Sequence, residues 1–326
     1  MIAAGPVACF DRVSFRGPVI QTGGRALQGQ TAEFDQRFFK SLAAQGLDVS
    51  APLPLQGGRS NRVWRTGYLA DGPMSEGLVV KLYLARGKNP LFANDPQRES
   101  AALEALSGTG MVPPLVASGQ FEGQHWLAYA HITGAPWQRD TAHVAQLLGR
   151  LHDQPEFSGL PKGVNGSVDL ERQTRRILGC CSGDLNAVTE VLSLRPIGQV
   201  PPLESLALIH GDPVPGNLLA HDGTLTLIDW QCPQMGDPSE DLALFLSPAM
   251  QALYRGKPLS VGEEDGFLAA YPDPRMVGRY LALKPWFHWR MAAYCLWRSA
   301  AGEPRDRAAL GLELAALRQS INPKRA

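Results

Sequence analysis

The sequence predicts an α+β fold, and three observations carry that prediction. Strand-like apolar runs punctuated by glycine crowd the chain up to about residue 133, and helical periodicity dominates beyond it. The composition is that of a globular protein, 44% hydrophobic and 19% charged. A length of 326 residues allows two modules or one large domain around a substantial core.

The elements follow in order. Residues 1–30 are rich in glycine and small side chains, and "QTGGRALQGQ" reads as a flexible segment with no assigned role. "TAEFDQRFFKSLAAQG" places Phe34, Phe38 and Leu42 at helical spacing and ends on Gly46. "LPLQGGRSNRVWRTGYL" reads as two strands joined across Gly57 and Gly58, and Val79 to Tyr83 as a buried strand. "DPQRESAALEALSG" is a helix with Asp95 as N-cap, Pro96 in its first turn and Gly108 at its end. "GQHWLAYAHITGAPW" is a strand that breaks at Thr133-Gly134. From residue 134 onward helices such as "TAHVAQLLGRLHDQ" and the long "YLALKPWFHWRMAAYCLWR" prevail. The chain therefore divides into residues 1–30, 31–133 and 134–326.

Charge and cysteine usage exclude several functions. Thirty-one basic residues balance 31 acidic ones, so no basic excess is available to engage nucleic acid or a membrane surface. The five cysteines form no C-x-x-C pair or metal-ligand spacing, which suits a reducing compartment. "MIAAGPVACF" lacks a basic n-region, and no apolar run approaches the roughly 20 residues of a membrane span. A cytoplasmic location is expected, with no obligatory protein partner evident.

The chemistry concentrates in "LIHGDPVPGNLLAHDGTLTLIDW", where His210, Asp212, Asn217 and Asp229 stand inside apolar runs. "NLLAHDGTLTLIDW" reads as a hairpin turning at Asp222-Gly223, which sets Asn217 and Asp229 side by side at its two ends. Paired oxygen-bearing side chains there suit Mg2+ shared with substrate phosphates. Asp212, five residues before Asn217, is close enough to meet a hydroxyl nucleophile. That is an arrangement for phosphoryl transfer, where positioning and charge neutralisation supply most of the catalysis.

These motifs resemble the aminoglycoside phosphotransferase and choline kinase family, over roughly residues 50–300. "HGDPVPGN" is similar to its catalytic loop, "IDW" to its metal-binding motif, and "GDPSEDLA" follows in the family's order. The resemblance implies a protein-kinase-like bilobal fold, with a nucleotide-binding lobe over 31–133 and a catalytic, substrate-binding lobe over 134–326. It implies ATP and Mg2+ as cofactors, Asp212 as the catalytic carboxylate, Asn217 and Asp229 as metal ligands, and Asp237 and Asp241 as braces of the catalytic loop. Lys81 with Glu99, or with the competing Glu104, resembles the pair that clamps ATP phosphates. Gly57, Gly58, Ser60 and Asn61 fall where a phosphate-covering loop belongs, and the backbone around Ala128 to Ile132 where adenine is met. His152 is read as structural, and His221 belongs to the hairpin turn.

Only seven residues separate Asp229 from Asp237, too few for a long activation segment, so a small alcohol is favoured over a peptide. Trp286, Trp289, Ala293 and Trp297 fall on one helical face; Trp286 and Trp289 are candidates to hold a quaternary amine, or are core packing. Glu263, Glu264 and Asp265 are candidates for aminoglycoside amines, or a solvated face. The leading expectation is a kinase of a small amino alcohol, of choline, ethanolamine or thiamine type. An aminoglycoside phosphotransferase is the alternative, and a nucleotide-binding pseudokinase scaffold a remoter one.

Overall fold

The computed structural model describes residues 24–55, 61–67, 77–84, 89–300 and 304–321. Gly57, Gly58 and Ser60, and most of the segment expected to be flexible, lie outside these residues. Helix α1 (Gly24–Ala44) starts seven residues before the expected Thr31, so the end of that segment is helical.

One antiparallel sheet forms the first part of the molecule. It orders β1 (Leu53–Pro54), β2 (Arg62–Thr66), β3 (Leu78–Leu82), β5 (Gln124–Ala130) and β4 (Leu115–Phe121), with neighbours in that sequence. Every residue of β3 is buried, yet its side chains still alternate between faces. Val80 and Leu82 meet Phe38 and Leu42 of α1 together with Trp64 and Trp126. Val79 and Lys81 take the other face, on the side of a large interlobe cleft. The helix α2 (Pro96–Ala105) packs against β4 and β5. It begins as expected: the Asp95 carboxylate accepts from the Gln97 and Arg98 amides, and Pro96 occupies the first turn.

After β5 the chain crosses into a mainly helical part. Strand β6 (Ala135–Pro136) already pairs with β8 (Leu218–His221) and leads to α3 (Thr141–His152), α4 (Ser167–Gly179) and α5 (Leu185–Ser193). Then β7 (Ala207–Ile209) pairs with β10 (Gln234–Gly236), while β8 pairs with β9 (Thr224–Leu227). The helices α6 (Ser239–Leu246), α7 (Pro248–Arg255), α8 (Val261–Ala270), α9 (Pro274–Ser299) and α10 (Pro304–Ile321) complete this part. At its centre α9 packs against α4, α5, α6 and α10, and thirteen of its residues are buried. Trp286 to Leu296 are buried without a break, the signature of a helix segment inside a large core. Among the described residues no helix is long and apolar enough to cross a membrane.

Candidate active site

The loop after β7 is held by backbone capture. The Asp241 carboxylate, fully buried at the start of α6, accepts the amides of His210 and Gly211, each at 2.8 Å. His152 lies 3.1 Å from the same carboxylate and 2.7 Å from the Tyr271 hydroxyl. Asp241 thus braces the loop as the sequence suggested, and His152, read as structural, supports Asp241. Asp237 is not: its oxygens cap Ser239 and pair with Arg279 at 2.7 Å, fastening α6 to α9 rather than to the loop. Gly211 has φ of +77°, and a Cβ there would stand 2.4 Å from the Cys232 carbonyl oxygen, so only glycine fits.

Asp241→Asn is expected to lower stability by about 3 kcal/mol or more, because an amide group then faces two buried N–H donors. Thermal denaturation with activity at low temperature checks this; an unchanged melting temperature removes Asp241 as a brace.

His210 is wholly buried, its ring 4.4 Å from that of Trp230. Nε2 faces the Ile228 carbonyl at 3.1 Å and Nδ1 takes the Asp212 amide at 3.2 Å, which requires a neutral ring. Burial pushes its pKa below the ordinary histidine value, ahead of the opposing pull of Asp241 and Asp229. A depressed folded-state pKa means the unfolded chain binds the proton first. This contribution is fully present above pH ~6.5 and is lost as pH falls through the folded value. Unfolding midpoints measured from pH 8 to 5 should decline below about 6.5, and less steeply in a His210→Asn variant.

The hairpin delivers its two ends together as expected. Leu218 faces Leu227 across the ladder, the turn at Asp222-Gly223 has positive φ at both residues, and the Ile228 amide donates to the Asn217 carbonyl at 2.9 Å. Asn217 Nδ2 donates to the Asp212 carbonyl at 2.9 Å and to its carboxylate at 3.3 Å. The Asn217 amide oxygen is therefore the atom left for a cation. Asp229 adopts φ of +65°, a left-handed conformation tolerated at some cost by aspartate and concentrated at functional positions.

Lys81 joins the two halves. Its ammonium is 2.6 Å from Glu99 and bonds Asp229, while the Tyr83 hydroxyl donates to Glu99. Glu99 is the partner; Glu104 is exposed and accepts from Ser100 at 3.4 Å. Burial alone would lower the Lys81 pKa, but Asp229 and Glu99 more than offset it, so the amine stays charged. Burial raises the half-buried Asp212 carboxyl well above the ordinary value, and the negative charge of Asp229 adds to the shift.

Lys81, Asp212, Asn217 and Asp229 all line one cleft of about 1010 Å³ between the two parts. On the sheet side its wall is apolar, with Val63, Val79 and Tyr129 from the strands and Leu219 and Ile228 from the hairpin. The adenine-side expectation covers Ala128 to Ile132. Ala128 is consumed by ladder pairing and the His131 amide donates to Gly77 at 3.0 Å, whereas Ile132 lines the cleft. Asn61 also lines it, its side chain tied to Asn94 at 2.7 Å and Gln231 at 3.2 Å. No group of three or more His, Cys, Asp or Glu side chains suited to a metal exists among the described residues, so a cation here would rely on Asn217, Asp229 and ligand oxygens.

The far end of the cleft corrects the aromatic expectation. Trp286 and Trp289 do not line it. They are buried, ring to ring at 6.0 Å, with Trp289 donating to the Val191 carbonyl at 2.6 Å and Arg195 5.2 Å from Trp286. The described residues of α9 that do line it are Tyr294, Cys295, Trp297 and Arg298, near the helix end. Trp289 is about 140° around the helix from Tyr294, and Trp286 is about 16 Å along the axis from Trp297. Helical spacing alone places four side chains on a stripe without saying which end meets the cleft. Tyr254 of α7 and Asp306 of α10 complete this end, and neither carried a sequence signal. The acidic cluster is elsewhere: Glu263 closes the capping box of α8 and pairs with Arg255, while Glu264 pairs with Lys284 at 3.4 Å.

Comparison with known proteins adds kinship. The phosphotransferase enzyme family matches residues 51–280. A probable ketoamine kinase of Thermus thermophilus is 30% identical over 266 residues, 74% of this chain and 86% of its own length. Among solved structures, choline kinase from Cryptosporidium parvum superposes with a TM-score of 0.59 at 14% identity, covering 83% of this chain and 90% of its own. Choline kinase from Streptococcus pneumoniae gives 0.58 at 17%, covering 87% and 99%. At such identities the two structures establish the shared protein-kinase-like fold.

Proposed function

The chain belongs to the phosphotransferase enzyme family, and from that premise we propose that it transfers the γ-phosphate of ATP, with Mg2+, to a hydroxyl of a small hydroxylated amine. That it is a small-molecule kinase follows from the family. The observation that carries the finer reading is the convergence of Lys81, Asp212, Asn217 and Asp229 on one cleft.

Asp212 orients the acceptor hydroxyl and takes its proton as the oxygen attacks the γ-phosphorus. The bond to the β–γ bridging oxygen breaks and ADP leaves. A raised pKa suits this task, since the carboxylate is a better proton acceptor than one in water. The Asn217 amide oxygen and the Asp229 carboxylate are the donors that fit Mg2+, which when bound neutralises phosphate charge. Lys81, held by Glu99, steadies the phosphates. The apolar wall of Val63, Val79, Leu219 and Ile228 accommodates the base. Asn61 shapes the wall nearby, and Gly57, Gly58 and Ser60 remain proposed from the sequence as the phosphate-covering loop.

At the acceptor end, Tyr254, Tyr294 and Trp297 offer aromatic faces to a cationic amine. The amino alcohols favoured by the sequence share that chemistry with the ketoamines named for the Thermus relative. An aminoglycoside acceptor is less well supported, because none of the acidic residues proposed for it lines the cleft: Glu263 closes the α8 cap and Glu264 pairs with Lys284. The test is ADP release with Mg2+ and a panel of choline, ethanolamine, thiamine, a fructosamine, kanamycin and glycerol. Stimulation is expected with at least one of the amines. Stimulation by glycerol alone, or by none, overturns the proposal.

A further inference from the structure

The acceptor end of the cleft contains a charge that an amine has no use for. Of the lysine and arginine side chains lining the cleft among the described residues, Lys81 is engaged by Glu99 and Asp229, and Arg298 lies at the other end, paired with Asp306. Arg298 follows Tyr294 by one helical turn, so the two side chains are neighbours on α9. The Tyr294 hydroxyl accepts from Asn89 Nδ2 at 3.1 Å; burial raises its pKa, ahead of the opposing effects of that bond and of Arg298. Tyr254 links the same end to the catalytic loop: a Cβ at Gly216 would stand 2.7 Å from its ring.

The second observation is how Arg298 is held. Its Nη2 donates to the Asp306 carboxylate at 3.3 Å, and among the described residues this is its one hydrogen bond. Asp306 is 1% exposed and sits in the first turn of α10, where the helix dipole favours its charge. The carboxylate is thus a buried backing that fixes the guanidinium, while the Arg298 side chain keeps 23% of its surface exposed on the cleft wall. One weak contact uses little of a five-donor fork, and the donors that no described residue takes match a planar carboxylate.

Resting on the proposed function, we infer that Arg298 anchors a carboxylate of the acceptor, so that the preferred acceptor is a zwitterion carrying a hydroxyl, an amine and a carboxylate. The aromatic faces of Tyr254, Tyr294 and Trp297 take the ammonium, and Arg298 takes the carboxylate. A purely cationic acceptor would instead bring like charge to Arg298.

The experiment uses two pairs of acceptors that differ only in the carboxylate: serine against ethanolamine, and the fructose ketoamine of glycine against that of methylamine. In the pair that the full-length enzyme turns over, kcat/KM is expected to favour the carboxylated member by about tenfold or more, mainly through KM, as for a charge-assisted hydrogen bond. Arg298→Gln should bring the ratio close to one without changing the KM for ATP, and Arg298→Lys should restore part of it. Should the Gln variant fail to fold, the wild-type ratio and the Lys variant still decide. Equal treatment of the two members by the wild type overturns this inference alone, as does an effect of Arg298→Gln on ATP rather than on the acceptor. Failure to turn over any hydroxylated amine overturns the proposed function and this inference with it.

Discussion

Asp212→Asn is expected to lower kcat by about 10²–10⁴-fold while leaving the affinity for ATP within about twofold, because a general base acts on the acceptor and not on the nucleotide. The isosteric amide still offers an oxygen to Asn217 Nδ2, so the loop keeps its shape. Its stability should move the other way from its activity. The folded-state pKa of Asp212 is raised, chiefly by burial and then by Asp229. The folded protein therefore holds this proton more tightly than the unfolded chain, and stability falls as pH rises from about 3.9 through the folded value. Above that value the substitution relieves the full penalty, and the melting temperature should rise by on the order of 2 °C or more. The gain should vanish at acid pH, below the unfolded value. The acid limb of the wild-type kcat/KM profile should likewise lie above the ordinary carboxylate range. Steady-state kinetics and calorimetry across pH check both halves, and a variant that keeps wild-type turnover ends the assignment.

Asp229→Asn should be as damaging to turnover, on the order of 10³-fold, yet by a different route. This carboxylate has two tasks, as partner of Lys81 and as proposed metal ligand. Its loss should weaken binding of an ATP analogue with Mg2+, unlike the Asp212 substitution, and flatten the dependence of rate on Mg2+. Asparagine tolerates the left-handed backbone at this position, where φ is +65°, so the fold should survive with little change. Asp229→Ala should melt lower, since alanine bears the strain of that conformation, about 1–2 kcal/mol, without a side chain to hydrogen-bond locally. Titration calorimetry with Mg2+ and a nonhydrolysable nucleotide separates these outcomes. Unaltered nucleotide binding by Asp229→Asn would remove this residue from the metal site.

How much of this was legible beforehand differs by element. The turn at Asp222-Gly223 and the apolar alternation around it dictated a hairpin, and a hairpin leaves its ends no freedom but to be adjacent. The Asp95-Pro96 signal at the start of α2 worked for the same reason: capping involves only neighbours along the chain. The reach of α1 back to Gly24 was missed, as was strand β4, which depends on pairing with β5 that weak local preference does not announce. Of the two readings of Trp286 and Trp289, amine contact or core packing, the structure shows packing, and which α9 residues line the cleft was not read. Helix α9 is buried on so many sides that its pattern offers no solvent face from which to orient it.

By itself, the sequence determined the α+β order of elements, the catalytic-loop hairpin and the identity of its polar residues, because these rest on turns, caps and periodicities short enough to act locally. Only the tertiary structure decided that Lys81 of β3 meets Asp229 148 residues away, that Asp241 grips the loop from α6, and that Tyr294, Trp297 and Arg298 rather than the tryptophans upstream reach the cleft. Those choices follow from how helices and sheet pack against one another, and packing depends on contacts between segments that no local pattern encodes.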